Sequence, residues 1–209
     1  AYSEHDFKTE AGAVKGEYTK NFASPYSQLR EKLAETAFTT HTYGHTTMGY
    51  FEDIVDMPNQ YEYSMKFFDR FYRPENCVVL IVGDAESEAS FALAEKYYGD
   101  WEKGFQPARI EAEPAQNEAK SGHVAWPAPI RPYLMIGFRA PEFSAESVDT
   151  PALDIISQLL FAESAPLYQK LMVEEQWVDF IGGSYSDHRD PYLFTIYTRV
   201  KSEDLLPKV

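Results

Sequence analysis

Two carboxylates, Glu10 and Glu17, stand seven positions apart in a stretch rich in Ala, Lys, Glu and Val, Asp6 to about Phe22. The stretch reads as a helix with soft spots at Gly12 and Gly16. At about 100° per residue, seven residues return to within about 20° of one face, so the two acids share a side. Their Cα atoms would lie about 10.5 Å apart along the axis, too far for both carboxylates to grip one small ion in a regular helix. The spacing therefore suits one metal ligand and one acid that orients a ligand or tunes the site. The same pattern also fits a solvated helix face, the commoner use of such acids.

The other residues with chemical potential are weaker. His41 and His45 are four apart, but Thr42-Tyr43-Gly44 between them is loop sequence, so helical ligand geometry does not follow. Glu4-His5 is an incidental pair, while His123 and His188 are isolated and read as surface residues. Gly182-Gly183 lies between strand residues and opens no helix, which argues against a phosphate loop. No Gly-x-Ser-x-Gly elbow occurs, and the single cysteine, Cys77, heads the apolar run Cys77-Val78-Val79-Leu80-Ile81-Val82, which reads as a buried strand.

The elements that must position these residues follow from punctuation and periodicity. Ser24-Pro25 forms an N-cap and first turn for a helix through Leu29, Leu33, Ala37 and Phe38, ending near Thr40. His41 to Tyr50 reads as a structured loop. Pro58-Asn59 introduces a helix whose Tyr61, Tyr63, Phe67, Phe68 and Phe71 form a bulky apolar face suited to core packing, and it stops before Arg73-Pro74. The apolar strand then precedes a helix over Ser87 to Tyr98, a strand-then-helix order that suggests an α/β layer. Residues 102 to 121 lack hydrophobic periodicity and contain Pro107 and Pro114, which predicts a linker or long surface connection and a boundary near 112. Beyond it come a strand over Arg131 to Arg139, helices over Thr150 to Phe161 and Pro166 to Gln176, and two strands, Val178 to Tyr185 and Tyr192 to Val200, joined by a turn at Asp187-His188-Arg189-Asp190-Pro191. Ser202-Glu203-Asp204 reads as the capped beginning of a further helix, and both ends of the chain look like mid-protein sequence.

Composition bounds the partners. A chain of 209 residues with 44% hydrophobic, 25% charged and 15% aromatic residues matches a folded protein with one large domain or two units of about 100 residues. A net charge of −14 argues against nucleic acid or an anionic membrane surface as the main partner. No apolar run reaches the roughly 18 residues of a membrane span, and one cysteine permits no intrachain disulfide.

Taken together, the stretch EAGAVKGE, the Pro-led helix after it, the loop FTTHTYGHTTMG, FEDI, FYRPENCVVLIVGD and the helix ending YYGDW resemble the pitrilysin/insulinase (M16) zinc metallopeptidases. The likeness covers residues 7 to 104 well and 122 to 201 more loosely. It implies an α+β fold of two α/β units, each with a mostly antiparallel sheet flanked by helices around a peptide chamber. Residues 1–111 would be the C-terminal half of one peptidase unit and 112–209 the N-terminal half of the next, with two sheets and the linker between them. Glu17 would be a zinc ligand and Glu10 an auxiliary catalytic acid. The inverted motif His-x-x-Glu-His, whose histidines bind zinc and whose glutamate is the general base, is absent from these 209 residues and is expected upstream. The implied function is a portion of a zinc metalloendopeptidase that is inactive alone and binds zinc weakly or not at all. The expected partners are a peptide or protein substrate, the remainder of the parent chain and a second M16-type subunit. The competing reading is a non-catalytic partner subunit, against which the retained Glu10 and Glu17 count. Family members also hold substrate with an arginine and a tyrosine, whose spacing Arg131 and Tyr133 do not match. A periplasmic or exported location is favoured.

Overall fold

A computed structural model describes residues 2–209. Contacts divide the chain into two interleaved compact units: residues up to Gly16 together with Phe51–Ile110, and Glu17–Tyr50 together with Glu111–Val209.

In the first unit, helix α1 (Glu4–Phe22, shared with the second unit) begins beside an aromatic cluster. Phe7 stacks on Tyr2 at 6.0 Å and meets Tyr61 at 5.9 Å, Phe68 meets Tyr2 edge-on, and the Tyr61 hydroxyl donates to the Tyr2 carbonyl at 3.0 Å. The unit also holds α3 (Phe51–Asp56), α4 (Tyr61–Phe71) and α5 (Ser87–Tyr98). The expected core face of α4 is divided, because Tyr61 and Phe68 join the cluster while Tyr63 and Phe67 are exposed.

The run Cys77–Val82 corrects a second expectation. It belongs to no strand, Val78 is 93% exposed and Cys77 is exposed as well. β-propensity gives an extended segment, but a strand is buried only when neighbours pair with its edges and cover its faces. The first unit has no strand among the described residues, so the second expected sheet does not form there.

The second unit carries one antiparallel sheet, made of β1 (Tyr133–Ala140), β2 (Val178–Tyr185) and β3 (Tyr192–Val200) in the order β1-β3-β2. Ser24 caps α2 (Pro25–Ala37) by accepting from the Ser27 N–H, and Pro25 occupies the first turn, as the sequence predicts. Strand alternation sends neighbouring side chains to opposite faces. Leu193 packs with Leu33, Ala37 and Phe38 from α2 and the residue after it, while Phe194 packs with Leu153 and Phe161 of α6 (Asp149–Phe161). The result is helix, sheet, helix in three layers. After α6, the expected helix over Pro166 to Gln176 is one α turn, α7 (Pro166–Tyr168), followed by a π-helical stretch, Gln169–Glu174. Gln176 then takes a left-handed φ of 52° and leads into β2. Val178 and Val200, paired across β2 and β3, are fully buried with Leu171. The C-terminal residues Glu203–Lys208 form a 3-10 turn without a side-chain cap from Ser202.

Candidate functional site

Helix α1 carries Glu10 and Glu17 on one continuous element. Its inward stripe is Phe7, Ala11 and Tyr18, all buried, with Val14 half-buried. On a helical projection the two glutamates lie together about 70–90° from the centre of that stripe. Both are exposed. Gly12 and Gly16 occupy the opposite, open face, where an added Cβ would meet nothing within 4 Å.

Zinc in a catalytic site takes three protein ligands. Among the described residues no three His, Cys, Asp or Glu side chains gather to hold a metal ion. Glu17 would supply one oxygen donor, so the residues present do not complete such a site.

The two loop histidines have structural partners. His41 caps the 3-10 turn Thr42–Gly44, with Nδ1 accepting from the Tyr43 N–H at 3.1 Å. Its ring is 4% exposed, and Nε2 lies 3.4 Å from Asp190 Oδ2. His45 Nδ1 instead donates to the Thr46 carbonyl at 2.8 Å. His188 stacks on Tyr192 at 3.9 Å.

Two charged constellations in the second unit escaped the sequence reading. The Glu113 carboxylate accepts from the backbone N–H groups of Thr39, Thr40 and His41 at 2.8–2.9 Å and from the Thr39 hydroxyl at 2.9 Å. Burial pushes its pKa up, but the backbone donors of His41, Thr39 and Thr40 outweigh this and hold it at about 2. The second constellation joins Asp179 of β2 to Arg131 and to Arg199 of β3. A signal for it was present, since Asp179 is an acid inside an apolar strand and Arg199 lies near the end of the next.

Comparison with known proteins bears on this architecture. The family described as Peptidase M16 inactive domain matches residues 60–209. The chain belongs to the M16 peptidase family. It is 29% identical over 157 residues to the zinc protease PqqE of Helicobacter pylori, an alignment that takes in 73% of this chain and 34% of that protein. The crystal structure of a protease from Helicobacter pylori superposes with a TM-score of 0.86 at 25% identity, covering 100% of this chain and 51% of that one. An M16 inactive domain from Pseudomonas fluorescens gives 0.77 at 19% identity over 95% of this chain and 48% of its own. The periplasmic protease PqqL of Escherichia coli gives 0.67 at 14% identity over 98% of this chain and 22% of its own, a likeness of fold alone. The chain thus spans about a third of the curated M16 relative. The α+β fold is that of M16 inactive domains. The family match begins after α1 and leaves Glu10 and Glu17 outside it.

Proposed function

We propose that this chain is part of a zinc-dependent metalloendopeptidase, in which Glu17 supplies one metal ligand, Glu10 an auxiliary acid, and the sheet unit a section of the chamber wall. Membership of the M16 family, with a zinc protease among the relatives, carries the reading. The shared, exposed flank of α1 that bears both acids supports the assignment of roles. On this reading residues 1–111 and 112–209 are halves of successive peptidase units, and the remaining ligands and the general base come from outside these residues. Zinc held there by Glu17 and the further ligands would supply Lewis-acid polarisation of a scissile carbonyl and a water made nucleophilic near neutral pH. Glu17 would hold the metal through its carboxylate, and Glu10, about two turns away along α1, would act on the site through its charge and hydrogen bonds.

A chain with one carboxylate donor retains little zinc and hydrolyses no peptide alone. The fold neighbour PqqL of Escherichia coli is a periplasmic protease, which supports an exported location for the parent. No helix among the described residues is long and apolar enough to cross a membrane. The description of the matched family as inactive favours the second reading, a non-catalytic partner of an active M16 subunit.

Metal analysis after dialysis separates the roles in the longer M16 protein of which this chain is proposed to be part. Glu17→Gln is expected to lose zinc and peptidase activity together, whereas Glu10→Gln keeps zinc and loses activity. A parent that binds no zinc with Glu17 intact is the partner subunit.

A further inference from the structure

The Arg131, Asp179 and Arg199 cluster plays no part in the reading of α1. Across the sheet, Tyr133 of β1 pairs with Arg199 of β3, and Arg199 pairs with Phe180 of β2. The register slips between Val178 and Phe180, which makes Asp179 the extra residue of a β-bulge. Bulges re-aim side chains. Here Asp179 Oδ1 accepts from Arg131 Nη1 at 2.6 Å and Oδ2 from Arg199 Nε at 2.7 Å. The Arg199 guanidinium is 5.8 Å from the ring centroid of Tyr133 and 5.7 Å from that of Phe180. Its Nη1 also donates to the Tyr133 hydroxyl at 3.4 Å.

One carboxylate thus meets two guanidiniums, leaving a positive charge over. Asp179 is 13% exposed, whereas the Arg131 side chain is 56% exposed and only its Nη1 is bonded to the aspartate. Hydrogen bonding from Arg131 holds the Asp179 carboxyl below the usual carboxylate range, against the effect of burial and with further help from Arg199. The aspartate therefore stays ionised and keeps both arginines aligned.

A pocket of about 350 Å³ opens beside this pair, lined by Pro25, Ile130, Arg131, Tyr133 and Arg199. Its only charged lining residues are the two arginines, in a chain of net charge −14. Pro25 is the first residue of the thirteen-residue α2, whose N-terminal N–H groups add partial positive charge. Ile130, Pro25 and the Tyr133 ring supply apolar walls for the methylenes next to an anionic group.

We propose that this pocket binds the carboxylate of a peptide, at its C-terminus or on an Asp or Glu side chain, with Arg131 as the chief contact and Asp179 as the positioning residue. Only the choice of a peptide as carrier rests on the chamber-wall reading.

Calorimetric titration of the full chain at pH 7 and low salt tests it, using acetyl-tetra-alanine with a free carboxylate, its C-terminal amide, the amide carrying one glutamate, and inorganic phosphate. The free acid or the glutamate peptide is expected to bind and the plain amide to bind at least about tenfold more weakly, the difference made by a charge-assisted hydrogen bond. The first two peptides distinguish terminal from side-chain recognition. Arg131→Gln is expected to weaken binding of the acid about tenfold with only a small fall in the thermal midpoint, since Arg199 still pairs with Asp179. Asp179→Asn removes the charge that aligns both guanidiniums and is expected to weaken binding of the acid severalfold while leaving that of the plain amide unchanged, whereas a purely structural ion pair predicts lost stability with unchanged affinity. Equal binding of acid and plain amide overturns the proposal, as does an unchanged affinity in R131Q, or phosphate binding without either acidic peptide. None of these outcomes touches zinc retention in the parent, so the reading of α1 stands or falls separately.

Discussion

Replacing Glu113 with glutamine removes the charge that closes four hydrogen bonds at the end of α2. The carboxylate is 8% exposed, and Arg139 Nη2 lies 3.6 Å from it while also donating to the Ala37 carbonyl. The carboxyl pKa falls from 4.5 to about 2 on folding. At about 1.36 kcal/mol per pH unit that gap corresponds to about 3 kcal/mol, and screening by nearby solvent reduces it to about 2 kcal/mol. The neutral amide keeps one acceptor oxygen but turns an NH2 group toward N–H donors, so at pH 7 E113Q should be less stable by about 2 kcal/mol. The sign with pH follows from the depressed pKa. The stabilisation is complete above pH 4.5 and is lost as the pH falls toward 2. Urea unfolding followed by tryptophan fluorescence, with Trp177 beside the Val178 cluster as reporter, gives the comparison. Wild type and E113Q should differ at pH 7 and converge only as the pH falls to about 2. A difference below about 0.5 kcal/mol at pH 7 is within the range of an ordinary surface substitution and refutes the clamp. So does a difference that persists unchanged at low pH.

Glycine substitutions should have opposite signs according to the space around them. Gly12→Ala in α1 meets open space and should raise the unfolding free energy by about 0.5–1 kcal/mol through helix propensity. Gly183→Ala in β2 drives a Cβ into the Phe161 ring and should lower it by about 1–3 kcal/mol, read by the same urea titration. Cys77, exposed on an unpaired segment, should react with Ellman's reagent in the native chain as fast as it does in urea, and protection of the thiol would contradict the structure.

Much of the framework was legible locally. The bounds of β2 and β3 coincide with the sequence reading, because alternation and a polar turn between two β-branched and aromatic runs specify a hairpin within a few residues of chain. The α2 start was equally legible from Ser24-Pro25, and α5 from its flanking residues. Glu10 and Glu17 could be placed on one side of a helix from spacing alone. Their chemistry could not, because a carboxylate becomes a zinc ligand only where other donors converge on it.

The sequence by itself determined the helices α2 and α5, where the hairpin turns and which family the chain resembles, since these depend on neighbours close in the chain, whereas α3 and the π-helical stretch Gln169–Glu174 were not legible in it. Tertiary structure alone decided the fate of Cys77–Val82, because an apolar extended run requires partner strands that propensity does not provide. It also brought Glu113, in a stretch without periodicity, to N–H groups more than seventy residues away. The slip that makes Asp179 a bulge and turns it toward two arginines is likewise a property of pairing register, which two strands settle jointly.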